Sequence, residues 1–167
     1  MEAGMAVNNV TRMLDAKNIP YTAYDLPAEK LGARRTAVLL GVPPELVYKT
    51  IVVTRSQPGK PILTLIPGTN KVDLKLVASA LGEKKVNLPT EREAERLTGL
   101  QAGGISPLAL LNKGFQVIVD SQVEPNTEIY VSAGQRGLNI CLAVKDLLDL
   151  TRARVAVISL PGGEIGE

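Results

Sequence analysis

The run Leu46–Thr54, LVYKTIVVT, does most to limit what this chain can fold into. It is β-branched or aromatic at most positions, which suits a pleated strand better than a helix. Pro43-Pro44 precede it, and Gln57-Pro58-Gly59-Lys60 follow it as a turn. Ile62–Ile66 then returns as a second strand, closed by Pro67-Gly68. The fold must be organised around this pair.

Punctuation on either side predicts the remaining elements. Asn8 or Asn9 can cap a first helix with Val10, Met13 and Leu14 on one face, ended by Asn18-Ile19-Pro20. Tyr21–Leu26 reads as a strand, and Arg34–Leu40 as a helix stopped by Gly41. Asp73 caps a helix over Leu74–Leu81 with Gly82 after it, and Thr90 with Glu93 forms a capping box for Glu91–Leu97. Phe115–Asp120, Glu128–Ser132 and Leu138–Val144 read as strands, Lys145–Leu150 as a short helix and Val155–Leu160 as a last strand. Strands neighbour one another through turns without strict βαβ alternation. That pattern predicts an α+β class and a mixed, curved sheet, and 167 residues suit one domain.

Composition narrows the chemistry. With no histidine and a single cysteine, Cys141, the chain has no imidazole base, no HExxH zinc site and no intrachain disulfide. The balance of 19 Lys+Arg against 17 Asp+Glu permits an anionic partner without suggesting a coat of nucleic acid. Four tyrosines and one phenylalanine are too few for a base-stacking platform. The longest uncharged stretch, Thr98–Asn112, is interrupted by Gly103, Gly104 and Pro107, so no membrane span is expected. The opening MEAGMAVNN has no basic n-region, which favours a cytoplasmic protein.

Three segments could carry function. Alternation puts Lys49 on the face of Val47, Ile51 and Val53. That face is either the core, where an ammonium must pair or open into a cleft, or the outer face, with Leu46, Tyr48 and Val52 inside. Gly103-Gly104-Ile105-Ser106-Pro107 is either a plain turn or a loop whose amides approach a ligand. Ser132-Ala133-Gly134-Gln135-Arg136-Gly137 is either a hairpin turn or a site edge, with Ser132 at a strand end and Arg136 on a phosphate. Asn139 and Cys141 share the face of the next strand. The cationic residues Arg34, Arg35, Lys71, Lys75, Lys84, Lys85, Lys113 and Arg136 are spread over several elements.

Together, Val47–Val53, Gly103–Leu108 and Ile129–Leu138 resemble the YbaK/EbsC, prolyl-tRNA-editing-domain family of aminoacyl-tRNA deacylases. The likeness spans residues 8–158, leaving 1–7 and 159–167 as tails. It implies a single α+β domain with a barrel-like mixed sheet and flanking helices. It further implies hydrolysis of a mischarged amino acid, cysteine above all, from tRNA-Pro, without cofactor or metal. A prolyl-tRNA synthetase is the further partner implied. On this resemblance Lys49, Gly103, Gly104 and Ser132 form the catalytic set, with Lys49 orienting the substrate near the terminal adenosine. Tyr24, Ile105, Ser106, Pro107, Gly134, Arg136 and Asn139 bind substrate, the glycine loop holding the aminoacyl carbonyl. The nucleophile would be the cysteinyl thiol of the substrate or a water placed by the 2′-hydroxyl. Two departures stand out: Asn139 replaces an Asp common in relatives that remove cysteine, and Asp25–Arg35 differs in sequence and length. They support the alternative of a non-catalytic module binding tRNA or a synthetase; a deacylase for alanine rather than cysteine is a further alternative.

Overall fold

A computed structural model describes residues 7–162. In chain order its elements are α1 (Asn9–Ala16), β1 (Tyr21–Asp25), α2 (Ala33–Leu40), β2 (Tyr48–Arg55), β3 (Ile62–Pro67), β4 (Asn70–Val72), α3 (Leu74–Leu81), β5 (Val86–Asn87) and α4 (Glu91–Thr98). They continue with β6 (Gln116–Asp120), β7 (Glu128–Ser132), β8 (Leu138–Ala143), α5 (Val144–Thr151), β9 (Arg154–Ala156) and β10 (Ser159–Pro161). The caps are those the sequence predicts. Asn8 accepts from the amides of Val10 and Thr11, Asp73 from Leu76, and Thr90 and Glu93 cap each other's backbone. Leu46 falls outside β2, because Pro44 opens a 3-10 turn over Pro44–Leu46.

The architecture is a mixed α+β domain. A five-stranded sheet runs β5-β2-β3-β6-β9, with β2 antiparallel to both β3 and β5 and with β3/β6 and β6/β9 parallel. A second, antiparallel sheet runs β1-β8-β7, and a parallel bridge between Val47 and Tyr130 ties the two together. β4 and β10 form a small antiparallel ladder.

The main core fills the space between the larger sheets, with Tyr48, Val52, Leu63 and Leu65 meeting Ile129, Val131, Leu138 and Ile140. A second core lies on the other face of the five-stranded sheet, where Val53, Ile62, Ile66 and Ile118 pack against Val77 and Ala78 of α3. Every residue of β3 is therefore buried, as a strand covered on both faces requires. Its one polar side chain, Thr64, satisfies its hydroxyl by donating to the Ile51 carbonyl at 2.7 Å. A third, smaller cluster joins Ala33 and Ala37 of α2 to Val47.

The expected strand Val155–Leu160 is instead two strands, β9 on β6 and β10 on β4. The cause is Asp120, 1% exposed at the end of β6. Its carboxylate accepts from the Gln122 amide at 2.9 Å, the Ile158 amide at 3.2 Å and the Ser159 hydroxyl at 2.6 Å. Asn70 of β4 in turn donates to Ser159 at 2.9 Å. The chain must leave β6 at Val157 to satisfy this acid, and residues 159–161, read as tail from the sequence, become part of the fold. Residues 1–6 and 163–167 of the two expected tails lie outside the described residues.

Two outcomes follow for stability. Asp120→Ala leaves the Ile158 amide and Ser159 hydroxyl without their acceptor, and urea unfolding is expected to show a loss of about 2–4 kcal/mol; a loss under about 1 kcal/mol would contradict the pinning role. Burial, then the nearby Asp120 and Glu124 carboxylates, pushes the Tyr48 phenol up to about 12, and burial, then Cys141, does the same for Tyr130. In the unfolded chain these phenols ionise near 10, so their contribution is complete below pH 10 and lost as pH rises toward 12. Ultraviolet titration should show both ionising together with alkaline unfolding; normal titration near pH 10 in an intact fold would refute the burial effect.

Candidate functional site

The site starts from the alternation along β2. Tyr48 and Val52 enter the main core, while Val47 joins the α2 cluster and Ile51 and Val53 join the α3 core. Both faces of the strand are thus interior, which resolves the two readings of Lys49. It is half-buried, in register with Ile66, at the gap between two apolar clusters. A cleft of about 370 Å³ opens there, and Lys49 forms part of its wall. Lys49 thus stands where the two clusters leave the strand uncovered, on the wall of the cleft.

The glycine loop forms a second wall. Gly103, at φ +90°, sits in a tight turn closed by the Gly104 amide donating to the Gln101 carbonyl at 2.8 Å. A side chain at Gly104 would come within 2.8 Å of the Gln135–Arg136 backbone, so only glycine fits beneath the neighbouring turn. Ala102 is held by both its backbone groups: its amide donates to Glu95 Oε2 at 2.8 Å, and its carbonyl accepts from Arg136 Nε at 2.7 Å. Ser106 is fully buried and accepts from the Leu108 amide at 3.1 Å, capping the 3-10 turn Pro107–Leu110. Of this segment, Ala102, Gly103 and Ile105 line the cleft. The amides of the last two donate to no protein acceptor among the described residues.

The third wall comes from the β1-β8-β7 sheet. Register places Tyr24, Asn139 and Ser132 side by side in one row, and Thr22, Cys141 and Tyr130 in the next. Ser132 and Asn139 reach the cleft. The Ser132 hydroxyl is buried without a hydrogen-bond partner among the described residues, an expensive state unless a ligand satisfies it. Asn139 makes only a long contact of 3.5 Å to the Gly137 carbonyl. The Tyr24 ring packs beside Tyr130, centroids 6.0 Å apart, next to the cleft rather than on its wall. Burial pushes the Cys141 thiol up, so it stands as a neutral thiol and not as a nucleophile.

The residues singled out from sequence therefore separate into two groups. Lys49, Gly103, Ile105, Ser132 and Asn139 surround one cavity. Gly104, Ser106, Pro107, Gly134 and Arg136 stand behind it and shape the walls; the amide of Gly104, expected to face a carbonyl, is already used within its turn. Gly134 is pressed against Ala109, where a side chain would come within 2.7 Å. Sequence reasoning missed the rim. Gly32, Ala33 and Thr36 of the α2 start, Lys71 of β4, and Leu88 with Glu91 before and in α4 complete the cleft. Lys30 forms an ion pair with Glu91 across it. Only proximity in the fold reveals these, since each lies in a segment with an ordinary helix or turn signal.

Comparison with known proteins agrees with this architecture. The sequence model of the aminoacyl-tRNA editing domain matches residues 29–150. A relative from Enterococcus faecalis, provisionally named the Cys-tRNA(Pro)/Cys-tRNA(Cys) deacylase EbsC, is 34% identical over 153 residues, covering 90% of this chain and 92% of that protein. A proline–tRNA ligase from Trichlorobacter lovleyi is 25% identical over 107 residues, 64% of this chain but 18% of the ligase. Among solved structures, hypothetical protein APE2540 shares the fold at a TM-score of 0.82 and 23% identity, covering 92% of this chain and 100% of that one. A protein described as a candidate trans-editing enzyme for prolyl-tRNA synthetase superposes at a TM-score of 0.77 and 23% identity, covering 93% and 99%. Among the described residues, no helix is long and apolar enough to cross a membrane.

Proposed function

This chain belongs to the aminoacyl-tRNA editing domain family, and from that premise we propose that it is a trans-acting deacylase that removes cysteine from tRNA-Pro. The observation that carries the reading is the meeting of a cation, two uncommitted main-chain donors and an unsatisfied buried hydroxyl in one cleft. The name of the Enterococcus faecalis relative supports the choice of cysteine and of tRNA-Pro. The partial match to a proline–tRNA ligase supports a prolyl-tRNA synthetase as the partner that supplies tRNA selectivity.

An aminoacyl ester is already activated, so catalysis needs positioning and charge stabilisation more than a strong base. The amides of Gly103 and Ile105 hold the ester carbonyl and stabilise the oxyanion as it forms. Lys49 anchors the terminal ribose or its phosphate as a point charge. Ser132 donates its otherwise unused hydroxyl to the substrate, beside the neutral Asn139. With cysteine as cargo, its thiol attacks its own carbonyl: a carbon–sulfur bond forms, the ester carbon–oxygen bond breaks, and the thiol proton ends on the ribose oxygen. Water then opens the small thiolactone to free cysteine. The protein itself needs no nucleophile.

Incubation with tRNA-Pro charged with radiolabelled cysteine, alanine or proline tests the reading. Release of cysteine at least about tenfold faster than alanine is expected, a difference of about 1.4 kcal/mol in the barrier. Equal rates would remove the thiol-assisted route, and retention of the charged tRNA without release would make the chain a binding module. Lys49→Ala should lose about a hundredfold in turnover with the fold intact by circular dichroism, and Gly103→Ala should lose a similar factor because φ +90° strains any side chain there. Near wild-type rates in either variant would take that residue out of the mechanism.

A further inference from the structure

The sequence reading assigns Arg136 to a substrate phosphate and gives Glu95 no role, yet the two side chains grip the same residue of the glycine loop from opposite sides. Glu95 lies in the last turn of α4, where the helix dipole disfavours a carboxylate. Its carboxylate accepts instead from the Ala102 amide at 2.8 Å. Arg136 is carried on the β7–β8 turn, 34 residues further along the chain, and its Nε donates to the Ala102 carbonyl at 2.7 Å.

That carbonyl belongs to the same peptide unit as the Gly103 amide. Fixing its oxygen therefore fixes the plane of the peptide and the direction of the Gly103 N–H. A guanidinium on the oxygen also draws electron density from the amide nitrogen and strengthens it as a donor. The turn closed by Gly104 and Gln101 holds the far end of this unit. Arg136 additionally packs its stem against Gly103, its Cγ lying 3.5 Å from where a side chain there would begin. Neither Glu95 nor Arg136 lines the cleft.

We propose that Glu95 and Arg136 are positioning residues that clamp Ala102 and so aim and strengthen the Gly103 amide toward the acyl carbonyl. The inference rests on the deacylase reading above for its catalytic consequence, but the clamp itself is a property of the free protein.

Two measurements on the full chain test it. In deacylation assays, Glu95→Ala and Arg136→Met should each lower kcat at least about tenfold with KM within about twofold. Glu95→Gln, which keeps an acceptor oxygen, should restore kcat to within about threefold of the wild type. The double variant should lose less than the product of the single losses, because both act on one peptide. Arg136→Met raising KM with unchanged kcat would instead make Arg136 a phosphate contact and overturn the proposal, as would equal losses in Glu95→Gln and Glu95→Ala. In hydrogen exchange of the free protein, Glu95→Ala should speed exchange of the Ala102 amide at least about tenfold while Val119, deep in the core, is unchanged. Unaltered Ala102 exchange would refute the clamp. If the wild type releases no amino acid, the deacylase reading fails, and the exchange measurement still decides the clamp.

Discussion

The whole arrangement depends on β2 being interior on both faces while carrying a lysine in one of its inward rows. A strand covered on two sides normally reads as unbroken hydrophobic sequence, and β3 does apart from Thr64. Lys49 stands between Val47, which belongs to the α2 cluster, and Ile51, which packs on the separate α3 core. Among apolar neighbours an ammonium must be paired or reach a cleft, and Lys49 forms part of the cleft wall. The glycine loop and the pairing of β1, β8 and β7 bring the other walls to this position.

Those walls owe their shape to interactions that commit most backbone groups and leave a few uncommitted. The turn at Gly104 uses its own amide, Ser106 caps the following turn, and Glu95 takes the amide of Ala102. Among the described residues, the Gly103 and Ile105 amides and the Ser132 hydroxyl are left without a hydrogen-bond partner. Preorganised donors of this kind stabilise a developing oxyanion without reorganising at the moment of reaction. On the proposed deacylase reading the chain needs no histidine, because the ester and its cargo would supply the reactivity.

Much of this was legible in the sequence where the signal is local. The caps at Asp73 and Thr90 are read from neighbouring side chains, their helices begin where those residues place them, and of Asn8 and Asn9 it is Asn8 that caps the first helix. The resemblance carried by Lys49 and the double glycine pointed to the family before any contact was known. What was not legible depends on distant partners. The break between β9 and β10 is made by Asp120, 38 residues from the amide it binds. Each of the two readings of the Lys49 face made one face interior and neither made both so, since periodicity cannot say that each face has its own core. The row of Tyr24, Asn139 and Ser132 exists only through the register of three strands. Arg136 illustrates the same limit: a cation in a glycine-rich turn suggests an anion, and the fold supplies a carbonyl instead.

The most direct test of the cleft as an acyl-binding site is a crystal structure with a non-hydrolysable adenosine carrying cysteine through an amide at its 3′ position. The account predicts the acyl oxygen within about 3 Å of the Gly103 or Ile105 nitrogen, with the Lys49 amine on the ribose or phosphate side. An analogue bound with its carbonyl turned away from the double-glycine bend, or seated on another surface of the protein, would contradict it.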